Sequence, residues 1–203
     1  MNARGRRGGA LIAEISSKLG HAAVDRGRRP HRRRRVVATA VLAVLVVFGA
    51  ATARLFVWPA EGMPQHVSAI VMLAGPGDRL DKALQLATAR RAPMLVVSRG
   101  HEGYGGVCPP KIPGLTLICF DPSPSTTRGE AQYIDRLAQR YHWRSVVLVT
   151  ARAQDTRARI RVGRCYSGQT YVVTVPQPLS EWPYEIAYEW GATFKALFLQ
   201  RAC

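Results

Sequence analysis

The chain has 203 residues, which allows one ordinary domain with appendages. Hydrophobic residues make up 47% and charged residues 21%, a composition that excludes a wholly disordered protein. The net charge of +16 would suit a nucleic-acid-binding protein if it were spread along the chain. Residues 1–35, however, hold 11 basic and 2 acidic residues, whereas residues 55–203 hold 17 and 11. The excess positive charge therefore lies mainly in an N-terminal tail.

An uncharged segment follows this tail. Residues 36–53 read VVATAVLAVLVVFGAATA, and a helix of 18 residues is about 27 Å long, close to the ~30 Å hydrocarbon core of a bilayer. Trp58 suits the membrane interface and Pro59 suits a helix end. Because Lys and Arg beside a span stay in the cytoplasm, the tail predicts a cytoplasmic N-terminus. We therefore predict a single-pass plasma-membrane protein with a basic cytoplasmic tail (1–35), a transmembrane anchor (36–58), a linker (59–66) and an extracytoplasmic domain (67–203).

Other readings of this region remain open. Residues 51–53 (Ala-Thr-Ala) resemble a small-residue cleavage site, so the segment also fits a cleaved signal peptide. The long basic region and the long apolar run favour an uncleaved anchor. Residues 10–24 fit either a short interfacial helix or a frayed tail. The basic run lacks interleaved aromatic residues and nucleic-acid motifs, so it indicates contact with anionic membrane lipid and no nucleic-acid partner.

Short apolar runs alternate with amphipathic segments in the exported region. The predicted strands span residues 67–74, 94–98, 115–120, 146–150 and 171–175. The predicted helices span residues 79–90, 128–141, 155–165 and 182–201. This alternation predicts an α/β fold, a Rossmann-like doubly wound and mostly parallel sheet of about five strands. In the last helix we interpret one stripe as core packing, formed by Trp182, Ile186, Trp190, Phe194 and Leu197.

Ligands of doubly wound sheets bind at the carboxyl ends of the strands, so residues directly after each strand are the candidates for a site. Helix N-termini with free N–H groups and arginine side chains there suit an anion. The long Gly- and Pro-rich stretch 99–114 is typical of a lid or binding loop. The candidate ligand-binding residues are Gly75, Gly77, Asp78, Arg79, Ser98, Ser125, Thr126, Thr127, Glu130, Thr150, Gln154 and Arg157.

The four loops after the strands read, in order, GPGDRL, SRG, STTRGEA and TARAQDTRA. As an ordered set over roughly residues 67–200, they resemble the YdcF-like family, which includes the SanA- and ElyC-type envelope proteins. The arginine-rich tail and the extra cysteines look like an actinobacterial branch of it. The resemblance implies an α/β fold and a role in the cell envelope, but no defined reaction. Gln154 stands where the family usually has His, and Arg99 stands at a usual Gly.

Each motif also has a structural explanation. Gly75 and Gly77 form only a GxG, because Leu80 occupies the third glycine position of a dinucleotide fingerprint; no nucleotide cofactor is indicated. Thr127 and Glu130 have the spacing of a capping box. Asp121 fits a turn residue better than a general base.

The histidines and cysteines lack the spacing of a metal site, so no metal is indicated. An even number of cysteines in an exported domain predicts disulfides, and four cysteines allow three pairings. Cys108 and Cys119 flank a short loop, which leaves Cys165 and Cys203 as the remaining candidate pair.

Together these features predict a membrane-anchored envelope protein whose α/β domain binds or processes a small anionic metabolite, such as a phosphorylated sugar or a lipid-carrier intermediate. The alternative is a non-catalytic membrane scaffold or regulator of envelope assembly. Gln154 favours this alternative, because an amide side chain does not titrate and cannot act as an acid or base. Whether the domain is an enzyme is left open, and no protein partner is assigned. We expect Arg157 to face the 125–130 segment; pairing with Asp121 or Asp155 is the alternative.

Overall fold

The computed structural model describes residues 28–100 and 107–203. The candidate interfacial helix over residues 10–24, most of the basic tail, and residues 101–106 of the Gly- and Pro-rich loop lie outside the described residues. The chain divides into two compact units between Ala50 and Ala51.

The first helix of the described residues, α1 (Arg28–Thr52), is followed by a π-helical turn at Ala53–Val57. The helical stretch His31–Val57 is long and apolar enough to cross a membrane. Such a helix near the N-terminus fits either an anchor or a signal sequence. Its valine and leucine side chains between Val36 and Val47 are exposed in the isolated chain, as expected for a helix that lipid surrounds.

The second unit contains the predicted parallel sheet. Its strands are β1 (Ala69–Met72), β2 (Met94–Ser98), β3 (Thr116–Phe120), β4 (Ser145–Ala151) and β5 (Gln169–Val175). All four strand pairs are parallel, and the spatial order is β3-β2-β1-β4-β5. The central strands β1 and β2 are buried throughout, which explains their unbroken apolar sequences. The predicted α/β, Rossmann-like architecture is confirmed.

Helices cover both faces of the sheet. Their bounds are α2 (Arg79–Thr88), α3 (Thr127–Tyr141), α4 (Asp155–Cys165) and α5 (Trp182–Phe194), with a π-helical turn at Lys195–Leu199 after α5. Along β1, Ile70 and Met72 pack with α2 residues on one face, while Ala69 and Val71 pack with residues of α3 and α4 on the other. The period of two in a strand thus divides the domain into two cores.

The interpretation of the last helix was wrong in part. Phe194 and Leu197 are exposed, and the residues of this helix that are buried are polar or small: Glu189, Thr193 and Ala196. The physical reason is that α5 packs beside α4, where Glu189 meets an arginine, instead of lying over the sheet.

Residues after α1 are fixed to the α/β unit. Phe56 is fully buried, the Thr156 hydroxyl donates to the Leu55 carbonyl oxygen at 2.6 Å, and Arg159 donates to the Ala60 carbonyl oxygen at 2.6 Å. The last residues of the predicted anchor segment, Leu55 and Phe56, therefore pack against the α/β unit, and Ala60 of the predicted linker is held there by a hydrogen bond.

Two disulfides join Cys108 to Cys119 and Cys165 to Cys203, with Cα–Cα distances of 5.9 and 4.9 Å. Both candidate pairs are confirmed, and all four cysteines are used. Because cytosolic thiols are kept reduced, two disulfides indicate that the domain lies outside the cytoplasm.

Candidate functional site

A cavity of about 450 Å³ opens at the carboxyl edge of the sheet, where β1 and β4 meet. The strand order reverses direction at this pair, which is the usual ligand position in doubly wound folds. Three walls come from the loop after β1, the N-terminus of α3 and the start of α4. The fourth comes from α5.

The loop after β1 is built around a buried guanidinium. Arg79 is only 3% exposed and donates to the main-chain oxygens of Ala74 (2.6 Å) and Pro76 (2.9 Å), and to Gln154 Oε1 (2.8 Å). Burial lowers the pKa of Arg79 to about 10. Gly75 makes this possible, because its φ is +138° and a Cβ there would lie 2.6 Å from the Arg79 guanidinium. Arg79 thus braces the loop.

The N-terminus of α3 differs from the predicted capping box. The N-cap is Thr126, whose hydroxyl accepts from the Gly129 N–H at 3.3 Å, so Thr127 is already the first helical residue. Glu130 does not reach back to the cap; its Oε1 accepts the Ala74 N–H at 2.7 Å. The reason is that Glu130 lies one position beyond the capping-box position and faces the β1 loop.

Glu130 is a buried acid at the floor of the cavity. Its side chain is 3% exposed, and burial raises the pKa of its carboxyl above the ordinary value. The hydrogen bond from the Ala74 N–H and the charges of Arg79 and Arg157 lower this pKa, but they do not cancel the effect of burial. The buried Ser98 hydroxyl has no hydrogen-bond partner among the described residues.

A polar relay joins the two arginines at the cavity. Gln154 accepts from Arg79 through Oε1 and donates through Nε2 to Thr127 Oγ1 at 3.4 Å. Arg157 donates to the same Thr127 oxygen at 2.7 Å. Because the oxygen accepts twice, the Thr127 proton is available to an acceptor in the cavity. Neither of these two hydrogen bonds uses the Thr127 hydroxyl proton.

Arg157 faces the 125–130 segment as expected, but its ionic partner was not foreseen. Its Nε and Nη2 donate to the two carboxylate oxygens of Glu189 at 2.8 and 2.6 Å. Burial alone would lower the pKa of Arg157, and the Glu189 pair outweighs it, so the pKa is raised. The alternative partners are engaged elsewhere: Asp121 pairs with Arg99, and Asp155 pairs with Arg159.

Several arginines besides Arg157 lie near one side of the cavity. Arg161 is 6% exposed and donates to the main-chain and side-chain oxygens of Gln200 at 2.7 and 2.9 Å. Burial lowers its pKa, and the charges of Arg164, Arg128 and Arg157 lower it further. Arg161 is thus a buried cation that is held by neutral oxygens among other arginines.

Two exposed tyrosines line the mouth of the cavity. The rings of Tyr184 and Tyr188 lie 6.2 Å apart in a stacked arrangement, and the Arg157 guanidinium lies 5.6 Å from the Tyr188 ring centre. Between them, burial and the nearby Glu189 raise the pKa of Glu185. The mouth therefore combines flat apolar rings with charged groups.

The structure brings most of the candidate residues together. Those that line the cavity are Gly75, Arg79, Ser125, Thr126, Thr127, Glu130, Gln154 and Arg157. Gly77 and Asp78 lie outside its lining, and Ser98 and Thr150 are buried behind it. Asp78 is the N-cap of α2, but its side chain makes no capping bond.

Sequence reasoning missed the fourth wall. The missed lining residues include Arg161, Tyr184, Glu185, Tyr188, Glu189 and Lys195. One signal was present: the Tyr-Glu pair at 184–185 repeats at 188–189, and a spacing of four places both pairs on one helix face.

Within residues 28–100 and 107–203, no group of three or more His, Cys, Asp or Glu side chains is placed to hold a metal ion. No family model, curated protein or solved structure matches the chain significantly.

Proposed function

We propose that the cavity binds a small anionic metabolite of the cell envelope, of the class of a phosphorylated sugar or a phosphate-bearing lipid-carrier intermediate. In this proposal α1 anchors the protein in the plasma membrane, with the basic tail in the cytoplasm and the α/β domain outside. The proposal includes the relationship to the YdcF-like family, which rests on the four loop sequences after the strands.

The observation that carries the proposal is the crowding around Arg161. Arg128, Arg157 and Arg161 all line the cavity. Burial and the charges of Arg164, Arg128 and Arg157 lower the pKa of Arg161, and of these arginines Arg157 is paired with Glu189 whereas Arg128 donates to the Cys203 main-chain oxygen. A phosphate or carboxylate in the cavity would relieve the repulsion between these arginines and accept charge-assisted hydrogen bonds.

Three groups would orient such an anion. The Thr127 hydroxyl has its proton available, the N-terminus of α3 contributes its partial positive charge, and the Arg157 guanidinium lies beside both. The tyrosine rings at the mouth suit the flat face of a sugar or a similar ring. The buried Glu130 excludes a second negative charge from the floor of the cavity when it is ionised.

A non-catalytic role as a membrane scaffold or regulator is the second candidate. The observation that favours it is Gln154, which is fixed between Arg79 and Thr127 and cannot transfer a proton. In this version the same cavity reports the presence of a ligand and does not transform it.

Binding is tested by calorimetric titration of the full-length protein in detergent, with inorganic phosphate, a hexose 1-phosphate and the neutral hexose as probes. We expect the two phosphates to bind and the neutral sugar to bind much more weakly. Thr127→Val removes the donor with little change of volume and should weaken phosphate binding about tenfold or more, because a hydrogen bond to a charged group is worth ~1.5–3 kcal/mol.

The matched control is Thr88→Val, at the exposed end of α2, where the hydroxyl bonds only to its own helix. It should bind phosphate like the wild type. Equal affinity for phosphate and for the neutral hexose would refute the anion site.

A further inference from the structure

An apolar surface that no other described residue covers follows the cavity along the same helix. Phe194, Leu197, Phe198 and Leu199 are 54%, 38%, 60% and 70% exposed, and the rings of Phe194 and Phe198 lie 4.8 Å apart. We call these four residues the aromatic patch. Four large apolar side chains exposed together on six consecutive positions are uncommon on a soluble domain and indicate a binding surface.

The patch begins beside the residues at which the chain leaves α1. Trp190, one helical turn before Phe194, packs edge-on against Phe56 with ring centres 5.3 Å apart. Its indole N–H donates to Thr52 Oγ1 at 3.1 Å. Thr52 and Phe56 stand at the end of the apolar stretch, so the patch starts where a membrane span would meet the aqueous phase.

The charges around the patch suit an anionic lipid surface. Residues 190–203 contain the basic residues Lys195 and Arg201 and no acidic residue. Trp58, just after the apolar stretch, is 70% exposed. Aromatic side chains next to Lys and Arg are the composition of segments that lie in the headgroup region of a bilayer.

We propose that the aromatic patch rests in the headgroup region of the membrane that α1 spans. The α/β domain is then held against the bilayer at two places, the end of α1 and the end of α5. This docking depends on the proposed membrane anchorage, but not on the ligand of the cavity.

The test uses the full-length protein in vesicles of phosphatidylethanolamine and phosphatidylglycerol, the latter carrying an alkyne tag on its acyl chain. A benzophenone amino acid replaces Phe198, and illumination links it to whatever lies within a few ångströms. The matched control places it at Tyr141, an exposed aromatic residue at the far end of α3, about 22 Å along that helix from the cavity edge.

We expect at least tenfold more tagged lipid on the protein with benzophenone at position 198 than at position 141. A cross-link from position 198 to a second copy of the chain would show a protein interface and overturn the docking. So would a protein that floats with the vesicles but acquires no lipid at position 198. A protein that does not float with the vesicles refutes the anchorage as well, and phosphate titration then shows separately whether the cavity proposal survives.

Discussion

Two arginines that line one cavity, Arg79 and Arg157, have opposite environments. Arg79 is surrounded by the main-chain oxygens of its own loop, forms no ion pair with a described carboxylate, and has a lowered pKa. Arg157 is partly open to the cavity, forms a two-point ion pair with Glu189 and has a raised pKa. The same type of side chain therefore braces a loop after one strand and forms an ion pair beside the cavity after the neighbouring strand. The hydrogen-bond partners determine the role.

The scaffold role of Arg79 is tested most strongly through Gly75. Gly75→Ala forces a side chain into a backbone conformation of φ +138° and places its Cβ against the guanidinium. We expect a loss of roughly 2–4 kcal/mol in unfolding free energy from the combined strain and overlap, measured by urea denaturation.

Gly62→Ala is the matched control, because Gly62 has a similar φ of +148° and nothing within 4 Å of the added Cβ. It should show the backbone strain alone, a loss of about 1–2 kcal/mol. Equal losses in the two variants would mean that Arg79 moves aside without cost and does not brace the loop.

A smaller and pH-dependent effect is expected at Glu130. Because its pKa is raised in the folded protein, the folded state binds the proton more tightly than the unfolded state. Its contribution to stability is fully present below the ordinary carboxyl pKa of about 4.5 and is lost as the pH rises through the folded-state pKa. Glu130→Gln keeps an oxygen for the Ala74 N–H and cannot ionise.

The wild type should therefore lose stability relative to Glu130→Gln as the pH rises from 4 to 8, measured as urea midpoints at each pH. Midpoint curves that stay parallel over this range would show that Glu130 ionises as easily in the folded protein as in the unfolded chain.

The strands, the first helices and the strand-end loops could be predicted because each depends on local patterns. Unbroken runs such as 94–98 predict buried parallel strands, and Thr126 and Thr127 before an amphipathic segment predict a helix start. The fourth wall of the cavity could not be predicted, because its polarity is set by a contact between distant helices. Glu189 is buried only because Arg157, 32 residues earlier, lies opposite it.

The same contact explains why the interpretation of α5 as a core-packing helix was wrong in part. Hydrophobic periodicity assigns Phe194 and Leu197 to the core, because it takes no account of an ion pair that turns the opposite face of the helix inward.

The central claim is that the cavity binds an anion through a presented positive charge, and the phosphate affinities of Arg157→Ala and Glu189→Gln test it most directly. Arg157→Ala should weaken phosphate binding roughly 10- to 100-fold, because a charge-assisted contact is lost. Glu189→Gln removes a competing negative charge from the cavity wall and should tighten phosphate binding roughly threefold to tenfold, even though the folded protein loses an ion pair. If Arg157 and Glu189 only fasten α4 to α5, both variants will lower the unfolding midpoint and leave the dissociation constant for phosphate unchanged, which would contradict the account.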